Sequence, residues 1–262
     1  MQDWSNPNAA YLLGVTHGDG NVSTRAIRIS IGYKEVVFAK TIMSLWKSLG
    51  FNPHLYERRT AFSLEVCNTL LANEMRKLKT NGKWRLPENI NKAEWLAGIF
   101  DTDGCVSLAS RKCSITIGLK RSGNLLLVKK ALSELGIANV NIRNGIKKFN
   151  GEDYPYEVLG LTSFAKLKHF SATVPLKHPR KKERLKETID YINHVESITP
   201  LWKQVSEWIH QEPKSWLEIS QKFNLTKKQV DSCLQLAKKH GVIEITPPPK
   251  MLTKYFARKV IK

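Results

Sequence analysis

The sequence contains an approximate copy of itself. Residues 12–23 read LLGVTHGDGNVS and residues 96–107 read LAGIFDTDGCVS, with Leu, Gly, Asp-Gly and Val-Ser recurring at an offset of 84. SIGYK, ending at Lys34, and TIGLK, ending at Lys120, recur at an offset of 86, as do the Leu-Gly pairs ending at Gly50 and Gly136. Elements that keep their order through one two-residue insertion imply a single supersecondary unit used twice. The chain therefore has to fold as two like halves.

Each copy reads as helix, two strands, helix, two strands, helix, an α+β pattern of αββαββα type. The first helix is expected to stop at Gly20 or Gly104, and the middle helix at Gly50 or Gly136. The second strand alternates. Arg28 and Ser30 stand against Ile27, Ile29 and Ile31 in one copy, and Ser114 and Thr116 against Ile115, Ile117 and Leu119 in the other. A period of two gives one polar and one apolar face, and Lys34 and Lys120 share the polar parity. Segments 54–67 and 140–161 supply the remaining strands. Residues 80–95 carry Asn-Gly and Leu-Pro breakers and read as a linker between halves at 8–86 and 91–195.

Residues 197–246 follow another pattern. Ser215-x-x-Glu218 and Thr226-x-x-Gln229 are capping boxes at helix starts. Trp216, Ile219 and Phe223 share one helical face, as do Val230, Cys233, Leu234 and Ala237. Helix, short turn, helix and the strand-like VIEI suggest a helix-turn-helix or winged-helix module, with a plain helical hairpin as the alternative. Residues 247–262 form a basic tail, either solvated or ordered by phosphate.

Lys and Arg number 42 against 23 Asp and Glu, a formal charge of +19, of which residues 197–262 hold +7 and the rest +12. That excess calls for a polyanion, either nucleic acid or an anionic membrane surface. No run of about 18 apolar residues exists and no basic amphipathic segment stands apart, so a membrane role is the weakest reading. The N-terminal decapeptide lacks signal-peptide features, and an intracellular protein, cytoplasmic or organellar, is expected. With 42% hydrophobic residues a core is possible and wholesale disorder is excluded. Cys67, Cys105, Cys113 and Cys233 are too dispersed for a zinc site and read as reduced thiols.

The chemistry concentrates where the motif helices end. Gly14 and Gly18, and Gly98 and Thr102, form small-residue stripes that allow two helices to approach closely. Asp19 and Asp103 then fall at helix C-termini, where the helix dipole disfavours an acid by about 0.3–1 kcal/mol. Packing the stripes together brings the two acids together, and they repel. Divalent cations relieve both penalties. Hard oxygen ligands in a hydrated site point to Mg²⁺, and two carboxylates with nearby lysines suit phosphodiester hydrolysis.

LLGVTHGDG and LAGIFDTDG resemble the LAGLIDADG motif, and two copies in one chain resemble the monomeric LAGLIDADG homing endonucleases over residues 8–195. The resemblance implies paired motif helices between pseudo-symmetric halves whose antiparallel sheets saddle DNA. It also implies double-strand cleavage across the minor groove with Mg²⁺, or Mn²⁺ in its place, in intron or intein mobility. Carried over, Asp19 and Asp103 bind metal, with the carbonyls of Gly18 and Thr102 as further ligands. Lys34 and Lys120 match a basic position at the end of the second strand. Lys177, with Lys83 as its first-copy counterpart, matches a lysine before the terminal helix of a half. These lysines would polarise the attacking water and steady phosphate charge. His17 departs from the motif's first acid, which Asp101 keeps, and Thr102 is expected to loosen the helix contact.

Strand ribbons fit the major groove, where each base pair is distinct. Arg25, Arg28, Ser30, Arg58 and Arg59 are the candidate DNA contacts of the first half. Ser107, Arg111, Ser114, Thr116, Arg143 and Lys147 are those of the second. Unlike halves imply a monomer on a long asymmetric duplex. Two other functions compete: a DNA-binding regulator resembling the WhiA family, which joins such a domain to a helix-turn-helix, and an RNA maturase acting on intron RNA. The splicing residues of an intein are not visible, so a free-standing protein is expected.

Overall fold

A computed structural model describes residues 2–109, 112–120, 123–149, 152–198, 201–212, 214–239 and 254–255. They divide into two compact units, Met1–Ile189 and Asp190–Lys262. The first half of the larger unit comprises α1 (Pro7–Gly18), β1 (Gly20–Val22), β2 (Ala26–Gly32), a 3-10 turn at Tyr33–Glu35, α2 (Val36–Ser48), β3 (Pro53–Glu57), β4 (Ala61–Cys67) and α3 (Thr69–Leu78). A hairpin, β5 (Lys79–Thr80) and β6 (Lys83–Trp84), leads to the second half. That half comprises α4 (Lys92–Asp103), β7 (Gly104–Ala109), β8 (Lys112–Lys120), α5 (Asn124–Glu134), β9 (Asn141–Phe149), β10 (Glu152–Leu161) and α6 (Phe164–Thr173). A long helix, α7 (Pro179–Ile198), follows, and the boundary between the units falls within it.

The repeat is visible in the topology. Strands run in the order β1-β2-β4-β3 and β7-β8-β10-β9, antiparallel throughout. The alternation in β2 is realised: Ile27, Ile29 and Ile31 are buried while Arg28 and Ser30 are exposed. In β8 Ile115 and Ile117 are buried in the same way. Phe38, Ala39, Ile42 and Trp46 of α2 and Leu71, Ala72 and Met75 of α3 complete the first core.

Side-chain caps start the motif helices. Asn6 accepts from the backbone N–H of Asn8 and Ala9, and Asn91 from that of Glu94. Gly50 and Gly136 adopt φ of +82° and +84°, and the following N–H groups return to Trp46 and Leu132. Both middle helices thus end in left-handed glycine caps, as their Leu-Gly pairs imply. Gly20 and Gly104 act differently from expectation. Asp19 already caps α1, Gly104 has φ −78°, and neither glycine is left-handed. A Cβ there would lie 2.6 Å from the Thr16 carbonyl or 2.4 Å from that of Phe100, so glycine is required by the tight exit into β1 and β7. The expected linker is partly structured: Asn81 (φ 53°) and Gly82 (φ 72°) form the β5–β6 turn.

The smaller unit contains α8 (Leu201–Gln211), β11 (Lys214–Ser215), α9 (Trp216–Phe223), α10 (Lys227–Lys239) and β12 (Lys254–Tyr255), which pairs with β11. Its core joins Val205 and Ile209 of α8 to Ile219, Leu225, Val230, Cys233, Leu234 and Ala237. Both capping boxes form: Ser215 with Glu218, and Thr226 with Gln229. The strand expected from VIEI lies outside the described residues, and the strand that does form comes from the tail.

Candidate metal and nucleic-acid site

The two motif helices pack at backbone distance. A Cβ on Gly14 would lie 2.1 Å from the Trp95 carbonyl, and one on Gly98 would lie 2.2 Å from that of Tyr11. Only glycine permits this approach. One turn further on, a Cβ on Gly18 would meet the Thr102 hydroxyl at 2.1 Å and the Asp103 carboxylate at 2.8 Å. Thr102 does not loosen the contact. Its Oγ1 donates back to the carbonyls of Gly98 and Ile99 (3.1 and 2.9 Å) and occupies the space over Gly18.

This packing brings Asp19 and Asp103 together. Asp103 is partly buried, and removal from water, with the Asp19 charge adding to it, raises its pKa from 3.8 to about 6. Asp19 lies at the rim, exposed as a residue, but enough protein surrounds its carboxylate that desolvation raises its pKa as well. Two cations, Lys181 and Lys79, oppose the rise in both acids.

These lysines close the two helix ends. Lys79 Nζ donates to the carbonyls of Thr16, His17 and Gly20 at 2.9, 2.9 and 2.7 Å. Lys181 Nζ donates to those of Phe100, Asp101 and Thr102 at 3.0, 2.8 and 3.0 Å. Each ammonium directs its three donors at carbonyls around a helix C-terminus, where such groups lack intrahelical partners, and it counters the negative dipole end. Burial lowers both lysine pKa values, while Asp19 and Asp103 oppose that shift. Three accepting carbonyls require the charged form of each.

The motif's first acid has diverged into two structural roles. Asp101 is buried, and its Oδ2 accepts from the Tyr11 hydroxyl (2.8 Å) and the backbone N–H of Lys177 and His178 (2.6 and 3.0 Å), anchoring the entry to α7. His17 is equally buried, stacked on Trp84 with centroids 5.1 Å apart, and its Nδ1 accepts from the Trp95 indole at 3.0 Å. Burial, helped by the Lys79 charge, lowers its pKa to about 3, so it is a neutral packing residue.

The remaining site candidates are spread more widely. Lys34 lies exposed in the 3-10 turn after β2, and Lys120 lies exposed at the end of β8. Lys83 is exposed on β6, and Lys177 pairs with Glu94 at 2.5 Å beside the Tyr11 ring. The cations that act on both acids are instead Lys79 and Lys181, four residues from Lys83 and Lys177 respectively. The repeat could not reveal them. Lys79 follows Asp19 by 60 residues, Lys181 follows Asp103 by 78, and the two come from different elements.

The polar sheet faces carry most of the proposed DNA contacts. Arg28 opposes Glu65 across β2–β4 and binds it through Nε and Nη2, both at 2.9 Å, so it is held by a carboxylate. Ser30 opposes Ser63. Arg25, Arg58 and Arg59 are exposed at turns, with Arg58 5.9 Å from the Tyr56 ring centroid. In the second sheet Ser107 opposes Ser114, Thr116 lies between Cys105 and Gly160, and exposed Arg143 opposes Val158. Lys147 opposes Tyr154 along β9–β10, and Arg111 lies outside the described residues.

The donor set fits a divalent cation of the Mg²⁺ or Mn²⁺ type. Two hard carboxylates converge in a place partly removed from water, where burial raises both pKa values and a bound cation would oppose that rise. Among the described residues no group of three or more His, Cys, Asp and Glu is arranged to hold a metal. Further ligands would therefore be a carbonyl, water or phosphate. The Thr102 carbonyl already accepts from Lys181, which leaves that of Gly18 as the better candidate. No helix among the described residues is long and apolar enough to cross a membrane.

Comparison with known proteins bears on the fold and the family. A segment of 166 residues is 26% identical to a DNA polymerase of Thermococcus kodakarensis. It spans 62% of this chain but only about a tenth of that relative's length. A mesophilic variant of the homing endonuclease I-DmoI matches with a TM-score of 0.50 at 20% identity, covering 69% of this chain and 98% of that one. Full-length DUF199/WhiA from Thermatoga maritima matches with a TM-score of 0.45 at 17% identity, covering 92% of each chain. The LAGLIDADG-like domain model matches twice, at residues 6–80 and 91–174, so that each motif helix with its sheet is one copy, and the chain belongs to the LAGLIDADG-like domain family.

Proposed function

We propose that this protein is a monomeric, site-specific endonuclease that hydrolyses both strands of duplex DNA with a divalent cation, Mg²⁺ or Mn²⁺, in the mobility of an intervening sequence. The observation that carries the reading is the convergence of Asp19 and Asp103 at the ends of two touching helices, against both repulsion and desolvation. A fold has no structural use for two acids there. The pKa of Asp101 is also raised by burial, but three hydrogen bonds to its Oδ2 oppose that rise and tie it to Tyr11 and the α7 entry, which gives it a structural role. A cation at the pair would supply a Lewis acid and lower the pKa of bound water. Asp19 and Asp103 would hold it, and Asp103 must be ionised to do so. Lys79 and Lys181 keep the helix ends fixed and hold protons on Nζ throughout, since all three of their donors face carbonyls. Lys34, in the turn after β2, and Lys120, at the end of β8, are exposed and would meet phosphate. Unlike residues on the two sheet faces would read an asymmetric site.

Cleavage of a target selected from a duplex library, under single-turnover conditions, tests the proposal. Asp19→Asn and Asp103→Asn proteins should bind and not cut. Cutting at the wild-type rate by either variant would remove the metal assignment. The second reading, a DNA-binding regulator without cleavage, is favoured by the three-helix unit after α7. Tight binding by wild type with no nicking in Mg²⁺ or Mn²⁺ would establish it instead.

A further inference from the structure

The smaller unit has an outward helix face that its own core does not use. Val230, Cys233, Leu234 and Ala237 turn α10 inward. Lys228, Asp231, Gln235 and Lys238 stand at i, i+3, i+7 and i+10 on the opposite side, and all are exposed. A three-residue joint connects α9 to α10. Asn224 is left-handed (φ 50°, ψ 48°), Leu225 plugs the core, and Thr226 caps α10 together with Gln229. A joint fixed at both ends sets α9 and α10 rigidly, which suits an element that presents a helix to a ligand.

We propose that α10 is a reading helix that lies in the major groove of duplex DNA. An α-helix is about 10–12 Å across with its side chains, and the B-form major groove is about 12 Å wide. Lys228 and Lys238 flank the face and meet phosphates on either side. Gln235 and Asp231 between them carry the acceptors and donors that distinguish base edges, Gln for adenine and Asp for the cytosine amino group. The charge of residues 197–262, +7, favours a polyanion. Double-stranded RNA is disfavoured, because its deep, narrow major groove does not admit a helix. The assignment takes from the proposed function only that the partner is DNA, and it holds whether or not the chain cuts.

The test measures binding of the full chain in EDTA, so that cleavage has no influence. The probes are a random-sequence duplex, a library-selected duplex and a double-stranded RNA of equal length, titrated across salt. A Lys228→Ala/Lys238→Ala protein should lower the slope of log K against log salt by about 0.9 for each phosphate no longer neutralised. Gln235→Ala should leave that slope unchanged and weaken the selected duplex roughly tenfold while sparing the random one. All three positions are exposed, and unchanged circular dichroism confirms an intact unit. An unchanged slope in the double variant, or equal affinity for RNA and DNA, overturns the proposal.

Discussion

Replacing Asp103 by Asn should stabilise the protein while abolishing the proposed cleavage. In the fold the carboxyl pKa is raised from 3.8 to about 6 by burial and by Asp19. A raised acid pKa penalises the folded state above that value, and the penalty is relieved as pH falls from about 6 towards 3.8. At about 1.36 kcal/mol for each tenfold, the full penalty is about 3 kcal/mol. The site is only partly buried and solvent screens the charge, so about 1–2 kcal/mol of that penalty, and hence of net gain, is expected. Urea denaturation followed by tryptophan fluorescence in EDTA should show Asp103→Asn more stable than wild type at about pH 8, and equal to it near pH 4. Mg²⁺ should raise the stability of wild type alone, because it binds the folded acids, and so narrow the difference. A variant that is less stable at pH 8, or a gain that persists at pH 4, would refute the electrostatic account of the site.

Other substitutions separate the supporting parts. Lys181→Met leaves three carbonyls of α4 without their donor and both acids less screened; unfolding should become easier by roughly 2–4 kcal/mol, read in the same denaturation assay. Gly98→Ala places a methyl 2.2 Å from the Tyr11 carbonyl, and a loss of about 3 kcal/mol or more is expected, against near-neutrality if the helices can move apart. Tyr11→Phe removes one of the three hydrogen bonds to Asp101 Oδ2 and should cost about 1 kcal/mol. His17, with its pKa at about 3, should show no imidazole titration by NMR between about pH 5 and 8, and a midpoint near the free value of about 6.5 would contradict its burial.

Much of the scaffold is written in short-range sequence. The offsets of 84 and 86 require two like halves, and the strand order repeats accordingly. Alternating Ile in β2 and β8 selects which face is buried, because successive side chains leave a strand on opposite sides. Gly50 and Gly136 end their helices, and Ser215 and Thr226 begin theirs, since a cap depends on a residue and its neighbours within a turn. Asp19 and Asp103 could be singled out as acids in an unfavourable place for the same local reason.

Tertiary packing decided what those acids experience. Burial and mutual repulsion at Asp103 exist only because Gly14, Gly18 and Gly98 let α1 and α4 close to backbone distance. Lys79 and Lys181 could not be found by comparing the copies. One comes from the strand after α3 and the other from the first turn of α7, and they meet equivalent carbonyls only in space. The motif's first position shows the same division. As residues, Asp101 and His17 differ sharply in charge, yet the fold gives both buried structural roles, one on Tyr11 and the α7 entry and the other on Trp84 and Trp95. Periodicity and caps act within a few residues and can be read along the chain; desolvation and charge pairing depend on everything within several ångströms, and only the folded chain brings those groups together.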